Sequence, residues 1–359
     1  MDEKLTRIEG VFTYTFDQFT VFFYGDHVYI GGKEFPIGQS VVDILNMDES
    51  VLDELDRRVR EFIPAAQTLF DEKTDSAAAL AQERLNAVWD VLFTLPVYRD
   101  LPMDQKTSYH LFELLMADEE KWAQMQDPTS EGFVMFQGML ASLACLADSL
   151  RGFRLQVDLM ARQYFEPLKR RNANVYAGAY SFFYAHMLAA GAQLLHEDFQ
   201  QSFPMEVSFV PMQGPEGHDE EIFIAEKATF SSLADFLRTE FYRGLAIGNA
   251  PRSCHNCGRY FLLTDGYNTC YCNNIAPGET KRTCRKVGAH RKEAQGRANR
   301  TPAKVEYDRA YLRLKQRKLR KKISADEWNA AVAKAQELLA QSERGGVTDE
   351  ELTRKLKEL

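Results

Sequence analysis

Two hydrophobic periods alternate along this chain, and the change between them falls near residue 50. Before it, aromatic and β-branched runs at 11–16, Phe19–Tyr24 and His27–Ile30 are cut by Gly25-Asp26 and Gly31-Gly32 and followed by Phe35-Pro36-Ile37. Short runs between paired turn residues predict an antiparallel β-meander over residues 1–40. From Ser50 the apolar positions take a helical spacing. Leu52, Leu55, Val59, Phe62 and Ile63 share one face, as do Leu80, Leu85, Val88 and Leu92. The period recurs across 105–117, 132–168 and 174–200.

Runs at 207–210 and 221–224 predict two strands joined by a Pro- and Gly-containing loop. Ser231 or Ser232 then caps a helix whose apolar face is Leu233, Phe236, Leu237 and Phe241. Gly248-Asn249-Ala250-Pro251 ends that helix and marks the expected domain boundary. Further on, 303–322 is helical in pattern, with Tyr307, Tyr311 and Leu314 on one side and Arg309, Arg313, Arg317 and Lys321 every four residues on another. Ser324 to Glu327 and Thr348 to Glu351 read as capping boxes, and Gly345-Gly346 separates the helices they start. The expected class is α+β, predominantly α. It comprises a meander over 1–40, a mostly helical body over 41–250 with a small strand pair near 205–226, a cysteine-rich finger over 251–295 and a basic helical tail over 296–359.

Composition narrows this picture. With 359 residues, 45% apolar and 27% charged, the chain is globular and too long for one core. The longest apolar stretch, 178–195, is interrupted by Ser181, His186 and Gln193, which predicts a buried helix and no membrane span. The first residues lack the basic-then-apolar order of a secretory signal, so a cytoplasmic protein is expected.

Charge changes the picture more. Residues 1–250 hold 20 Lys+Arg against 39 Asp+Glu, whereas residues 251–359 hold 24 against 13. Within 281–322 there are 17 basic residues and only Glu293, Glu306 and Asp308 to oppose them. So dense a positive field concentrates polyanions, which points to nucleic acid. The competing reading is a protein partner, a second copy, or the chain's own acidic body.

Five of the six cysteines lie between 254 and 284. Cys254-x2-Cys257-Gly258 is the arrangement of a zinc knuckle, where the tight turn aims backbone N–H groups at thiolates and glycine accepts its backbone angles. Cys270, Cys272 and Cys284 follow, one more than a tetrahedral ion needs. Cys270 and Cys272 are two apart, so spacing does not separate them. The strings Cys254-His-Asn-Cys257-Gly-Arg-Tyr260-Phe261, Tyr271-Cys272, Ile275-Ala276-Pro277-Gly278 and Lys281-Arg-Thr283-Cys284-Arg285 resemble an uncharacterised bacterial family. That family carries CxxCGxYF, YC, IAPG and KTCR elements before a basic helical tail. The finger is also similar to the CGNR zinc finger of bacterial proteins taken as transcription regulators, although Arg-Lys-Val follows Cys284 here in place of Gly-Asn-Arg. The resemblance implies one structural Zn2+ on Cys254, Cys257, Cys272 and Cys284, with Cys270 spare.

Catalytic readings find little support. His218-Asp-Glu220 ahead of Cys254-x2-Cys257 has the order of a zinc-dependent nucleobase deaminase. But Pro251 is not adjacent to Cys254, His218 sits in a Gly/Pro loop, and Cys272 and Cys284 would have no role. Phosphate-binding and dinucleotide-binding glycine loops, the nucleophile elbow and the H-E-x-x-H helix do not occur. His186 and His196 read as core or surface histidines, Cys145 as a small core residue, and the aromatics around Tyr180 as core. The expectation is a bacterial, non-enzymatic zinc protein of regulatory type. It would contact nucleic acid, DNA before RNA, through Arg285, Lys286, Arg291, Lys292, Arg313, Arg317, Arg320 and Lys321. A protein-interaction or oligomerisation module is the alternative.

Overall fold

A computed structural model describes residues 15–189, 203–213, 221–264, 268–298 and 300–359, and divides into two compact units, Met1–Cys272 and Asn273–Leu359. The class is α+β and predominantly helical. Residues 11–14 of the first expected strand lie outside the described residues.

In the first unit, β1 (Phe19–Tyr24), β2 (His27–Ile30) and β3 (Lys33–Pro36) form the meander. The later strands β4 (Glu206–Gln213) and β5 (Ile222–Phe230) join the same sheet, in the order β3-β2-β1-β5-β4, all antiparallel. Sequence pattern treats the two strand groups separately; the pairing of Phe19 with Phe230 through Phe23 with Glu226 unites them. Phe19, Val21 and Phe23 alternate onto the inner face, with Ala228 and Phe230 beside them, all buried. At the β2–β3 turn Gly31 has φ +57, and a Cβ there would stand 1.8 Å from the Asp100 carbonyl oxygen, so no other residue fits.

The helices are α1 (Gln39–Leu45), α2 (Glu49–Glu72), α3 (Asp75–Leu92), α4 (Gln105–Ser108), α5 (Leu111–Met116), α6 (Glu119–Gln126), α7 (Glu131–Met160), α8 (Ala173–Ala189) and α9 (Leu233–Ile247). Leu52, Leu55, Val59, Phe62, Ala66 and Leu69 make the buried stripe of α2. Its partner α3 buries Ala77, Ala81, Leu85, Val88 and Leu92; Leu80 lies off that stripe and is 40% exposed, because five residues separate it from Leu85. The expected helix over 105–117 is two short ones. Between them the Ser108 carbonyl accepts the Trp89 indole N–H, and the Phe112 N–H donates to Gln82.

Glu131–Phe165 is long and apolar enough to cross a membrane by length and composition, which the sequence reading did not expect. Its stripe of Phe136, Leu143, Leu146, Leu150, Phe153 and Val157 is buried, with α2, α6 and α9 packed against the helix. By contrast α8, expected to be buried, is exposed at half of its described positions and fully buried at two. Tyr176 and Phe183 turn inward, Phe182 is 66% exposed, and residues 190–202 lie outside the described set. Cys145 is likewise exposed rather than a core residue.

In the second unit α10 (Cys284–Ala298) precedes three packed helices, α11 (Pro302–Leu319), α12 (Ala325–Glu343) and α13 (Asp349–Lys357). Ala303, Tyr307, Ala310, Ala335, Leu338, Leu352 and Leu356 form their core. The capping box at Ser324 is complete. At the second, the Thr348 hydroxyl accepts from the Glu351 N–H, but the Glu351 carboxylate pairs with Lys355 at 2.8 Å instead of reaching back.

One buried acid ties α9 to the start of α1. Glu240 is fully buried; its Oε1 accepts from the Gly38 N–H at 2.9 Å and the Ser40 N–H at 3.3 Å, two donors that the helix cannot satisfy itself. Oε2 has no hydrogen-bond partner among the described residues. Burial pushes the carboxyl up to about 7 from its ordinary 4.5; the Gly38 and Ser40 hydrogen bonds oppose that and Asp43 adds to it. A carboxyl raised in the folded state contributes stability that is complete below about pH 4.5 and is lost as pH rises through about 7. Glu240→Gln should therefore unfold at higher denaturant than wild type at alkaline pH, by up to roughly 3 kcal/mol, and match it in acid. Equal pH dependence of the two proteins would assign the effect elsewhere.

Candidate functional site

Two short strands begin the site. β6 (Ala250–Ser253) and β7 (Tyr260–Leu263) pair antiparallel with Ser253 opposite Tyr260, and the segment between them turns through Cys254 and Cys257. Gly258 takes φ +75, which lets its N–H donate to the Cys254 carbonyl at 2.8 Å, while the Cys254 N–H donates to the Arg259 carbonyl at 2.9 Å. The His255 N–H donates to the Cys270 carbonyl at 2.9 Å, and the Cys272 N–H points at the Cys254 sulfur at 3.4 Å. The fourth cysteine opens α10. Its N–H donates to the Asn274 carbonyl at 2.8 Å, and Ile275 bridges Thr283 just before it.

The sulfurs of Cys254, Cys257, Cys272 and Cys284 all lie within 4.8 Å of one another. Cys270 is not in that group; its backbone, not its thiol, serves the turn. Cys257 and Cys272 sulfurs are 3.7 Å apart. That is far beyond a disulfide bond and close to the roughly 3.8 Å between two thiolates on a tetrahedral ion with bonds of about 2.3 Å. Three of the four residues are buried and Cys257 is half-buried. Burial alone would raise the Cys254 thiol, but the N–H groups of Cys272, Cys257 and Asn256 outweigh it and bring the thiol down to about 7. The arrangement is a four-sulfur candidate metal site with no oxygen or nitrogen donor in the set.

Around the turn, polar side chains of the helical body hold the ribbon. Asn46 acts as a strand partner to Tyr260, donating from Nδ2 to its carbonyl at 2.8 Å and accepting its N–H at 2.7 Å. The Tyr260 hydroxyl donates to Asp158, which also accepts from Arg162 at 2.7 Å; burial and then Asp158 push the phenol up to about 12. Immediately after α7 the chain makes a wide five-residue turn over Ala161–Phe165, closed by the Glu166 N–H on the Ala161 carbonyl at 2.9 Å. That turn presents Glu166, whose Oε1 lies 2.6 Å from His255 Nε2 and 3.2 Å from buried Arg252. Burial would raise the Glu166 carboxyl, yet these two partners hold it below its ordinary value. Arg252 also donates to the Thr269 carbonyl at 2.8 Å, joining the ribbon to the irregular segment that carries Cys270 and Cys272. Asn46, Asp158 and Glu166 carry no motif and were not foreseen.

The eight basic residues expected to meet phosphate are not equivalent. Arg285, Lys286, Arg291 and Lys292 are exposed on α10. Arg320 caps α11 and Lys321 follows it with φ +53. Arg313 and Arg317, however, donate to main-chain oxygens of Leu356 at 2.9 Å, in the last turn of α13, and of Leu359 at 2.6 Å, just beyond it. His186 is exposed and meets the Tyr164 hydroxyl at 3.1 Å; His196, His218 and Glu220 lie outside the described residues.

Residues 200–358 match the model of a family of unknown function (DUF6076). Neither the curated proteins nor the solved structures offer a match to this chain.

Cys284→Ser should lose bound metal, whereas Cys270→Ser should keep it. Metal analysis by mass spectrometry, with thiolate-to-cobalt absorption after Co2+ exchange, reads both variants. Retention in Cys284→Ser together with loss in Cys270→Ser would reassign the fourth ligand.

Proposed function

We propose that the four thiolates hold one structural Zn2+ and that the exposed cations after Cys284 bind nucleic acid. Zinc suits the donor set: four soft sulfurs at tetrahedral spacing, with no position left for a substrate or an activated water. That closure argues against hydrolytic or deaminating chemistry. In such a protein the metal would lock the first turn of α10 to the knuckle, so that the positive residues beyond it are presented in one pose. The resemblance of the finger and the exposed cations beyond it support a role as a cytoplasmic, DNA-binding regulator.

The observation carrying this reading is the division of labour among the basic residues. Among the described residues, Arg285, Lys286, Lys292, Arg320 and Lys321 have no carboxylate partner, while Arg309 pairs with Glu306 and Lys304 with Asp308. Each phosphate they neutralise releases counterions, so duplex affinity should fall with salt at a log–log slope of roughly −4.5 if all five engage. Arg285→Glu should flatten that slope by about one. Arg313→Ala should leave the slope alone and lower the melting temperature of the helical tail instead. Fluorescence anisotropy at several salt concentrations, beside circular dichroism melts, measures both; affinity indifferent to salt would reject the mechanism.

A partner-binding role is the second reading, and one surface favours it. On β4 and β5 the side chains of Val207, Phe209, Ile222 and Ile224 are 44%, 71%, 58% and 78% exposed, and β4 is an edge strand. If this face joins copies of the chain, Phe209→Asp should shift a concentration-dependent oligomer to monomer in sedimentation velocity. A wild-type protein that stays monomeric at all concentrations would remove that role.

A further inference from the structure

Resting on the nucleic-acid reading, we infer that α10 is a reading helix that lies in the major groove of duplex DNA. A helix in a compact unit normally buries a stripe on its neighbours. Among the residues of α10 whose burial is described, Cys284 and Gly288, four residues apart, are the buried ones, while Arg285, Lys286 and every residue from 289 to 295 are exposed. Opposite the buried pair, at helical spacing, stand Lys286 and His290, with Arg285 and Lys292 together on one side of them. Fifteen residues make a rod about 22 Å long and about 10–12 Å across, the dimensions of an element that enters a groove about 12 Å wide.

Three features select the duplex DNA major groove over other polyanions. Within 284–298 there is no Phe, Tyr or Trp, which leaves His290 as the one aromatic ring of α10 on which a single-stranded base could stack. The major groove of A-form RNA is too deep and narrow to admit a helix. Finally, exposed Ala289 keeps the outward side of the helix slim beside Lys286, so that neighbouring side chains can reach base edges in the groove.

The test uses the full zinc-loaded chain and anisotropy against a mixed-sequence DNA duplex, an RNA duplex of the same sequence and the single DNA strand, at one salt concentration. The DNA duplex should bind about tenfold tighter than either competitor, and methyl green, which occupies the major groove, should displace the protein. Lys286→Glu should abolish the preference, whereas Lys321→Glu should weaken all three complexes alike. RNA duplex or single strand bound as tightly as DNA overturns the groove assignment while leaving nucleic-acid binding standing. A preference that survives Lys286→Glu and disappears with Lys321→Glu overturns it too. Failure to bind any of the three overturns the underlying reading as well.

Discussion

Four sulfurs gathered within 4.8 Å of one another set the problem that the rest of this protein solves. As thiolates they repel: two unit charges 4 Å apart cost about 4 kcal/mol at an effective dielectric of 20, and four make six such pairs. As neutral thiols they gain little from meeting, because S–H groups are weak donors and acceptors. Only a bound cation turns the cluster from a cost into a source of folding free energy, which is why metal binding and folding are coupled in sites of this kind. The backbone already leans that way. N–H groups aimed at Cys254 favour its charged form, and Gly258 supplies the turn that aims them.

Cysteines alone do not place the knuckle. Its ribbon has two strands of four residues, too little to stand without help. Asn46 provides a third edge by mimicking a strand residue with its side-chain amide, and Tyr260 carries the same anchor onward to Asp158. The wide turn at the end of α7 shifts the register there, so that Glu166 meets both Arg252 and His255. The side chain between the first two cysteines is therefore clamped by a carboxylate from the helical body. The positions of Cys254 and Cys257 are thus set by the helical body of the first unit and not by the ribbon alone.

How much of this was legible in the sequence depended on the range of the interactions involved. Local signals read well: the turn glycines of the meander, the α2 stripe, the Ser324 capping box and the cysteine spacing each depend on residues a few positions apart. Interactions across the chain did not. The pairing of β1 with β5 spans some two hundred residues and leaves no periodic trace. Asn46 sits between Leu45 and Met47 with nothing to distinguish it from any polar residue closing a helix. Leu80 and the aromatics of α8 misled for a related reason: hydrophobicity says that a side chain would gain from burial, not that a neighbour is there to bury it. Cys145 is exposed on α7 although Leu143 and Leu146 beside it are buried, because the helix turns it about 160° away from the first and about 100° from the second.

The basic tail shows why a charge count alone overstates a binding surface. Arg309, Arg313, Arg317 and Lys321 recur every four residues and read from sequence as one phosphate-facing stripe. In the folded tail three of the four are committed: Arg309 to Glu306, and Arg313 and Arg317 to main-chain oxygens at and just beyond the end of α13. The Leu356 carbonyl lies in the last turn of α13, at the negative pole of the helix and without an intrahelical donor, so the Arg313 guanidinium satisfies it and opposes the dipole. The stripe is then largely internal chemistry that closes α11 on α13, with Lys321 its one member outside that role. Positive charge available to a partner consequently shifts to the start of α10 and to the corner after α11. A polyanion drawn to this chain would follow the helix that begins at Cys284 rather than the helix with the most regular basic repeat.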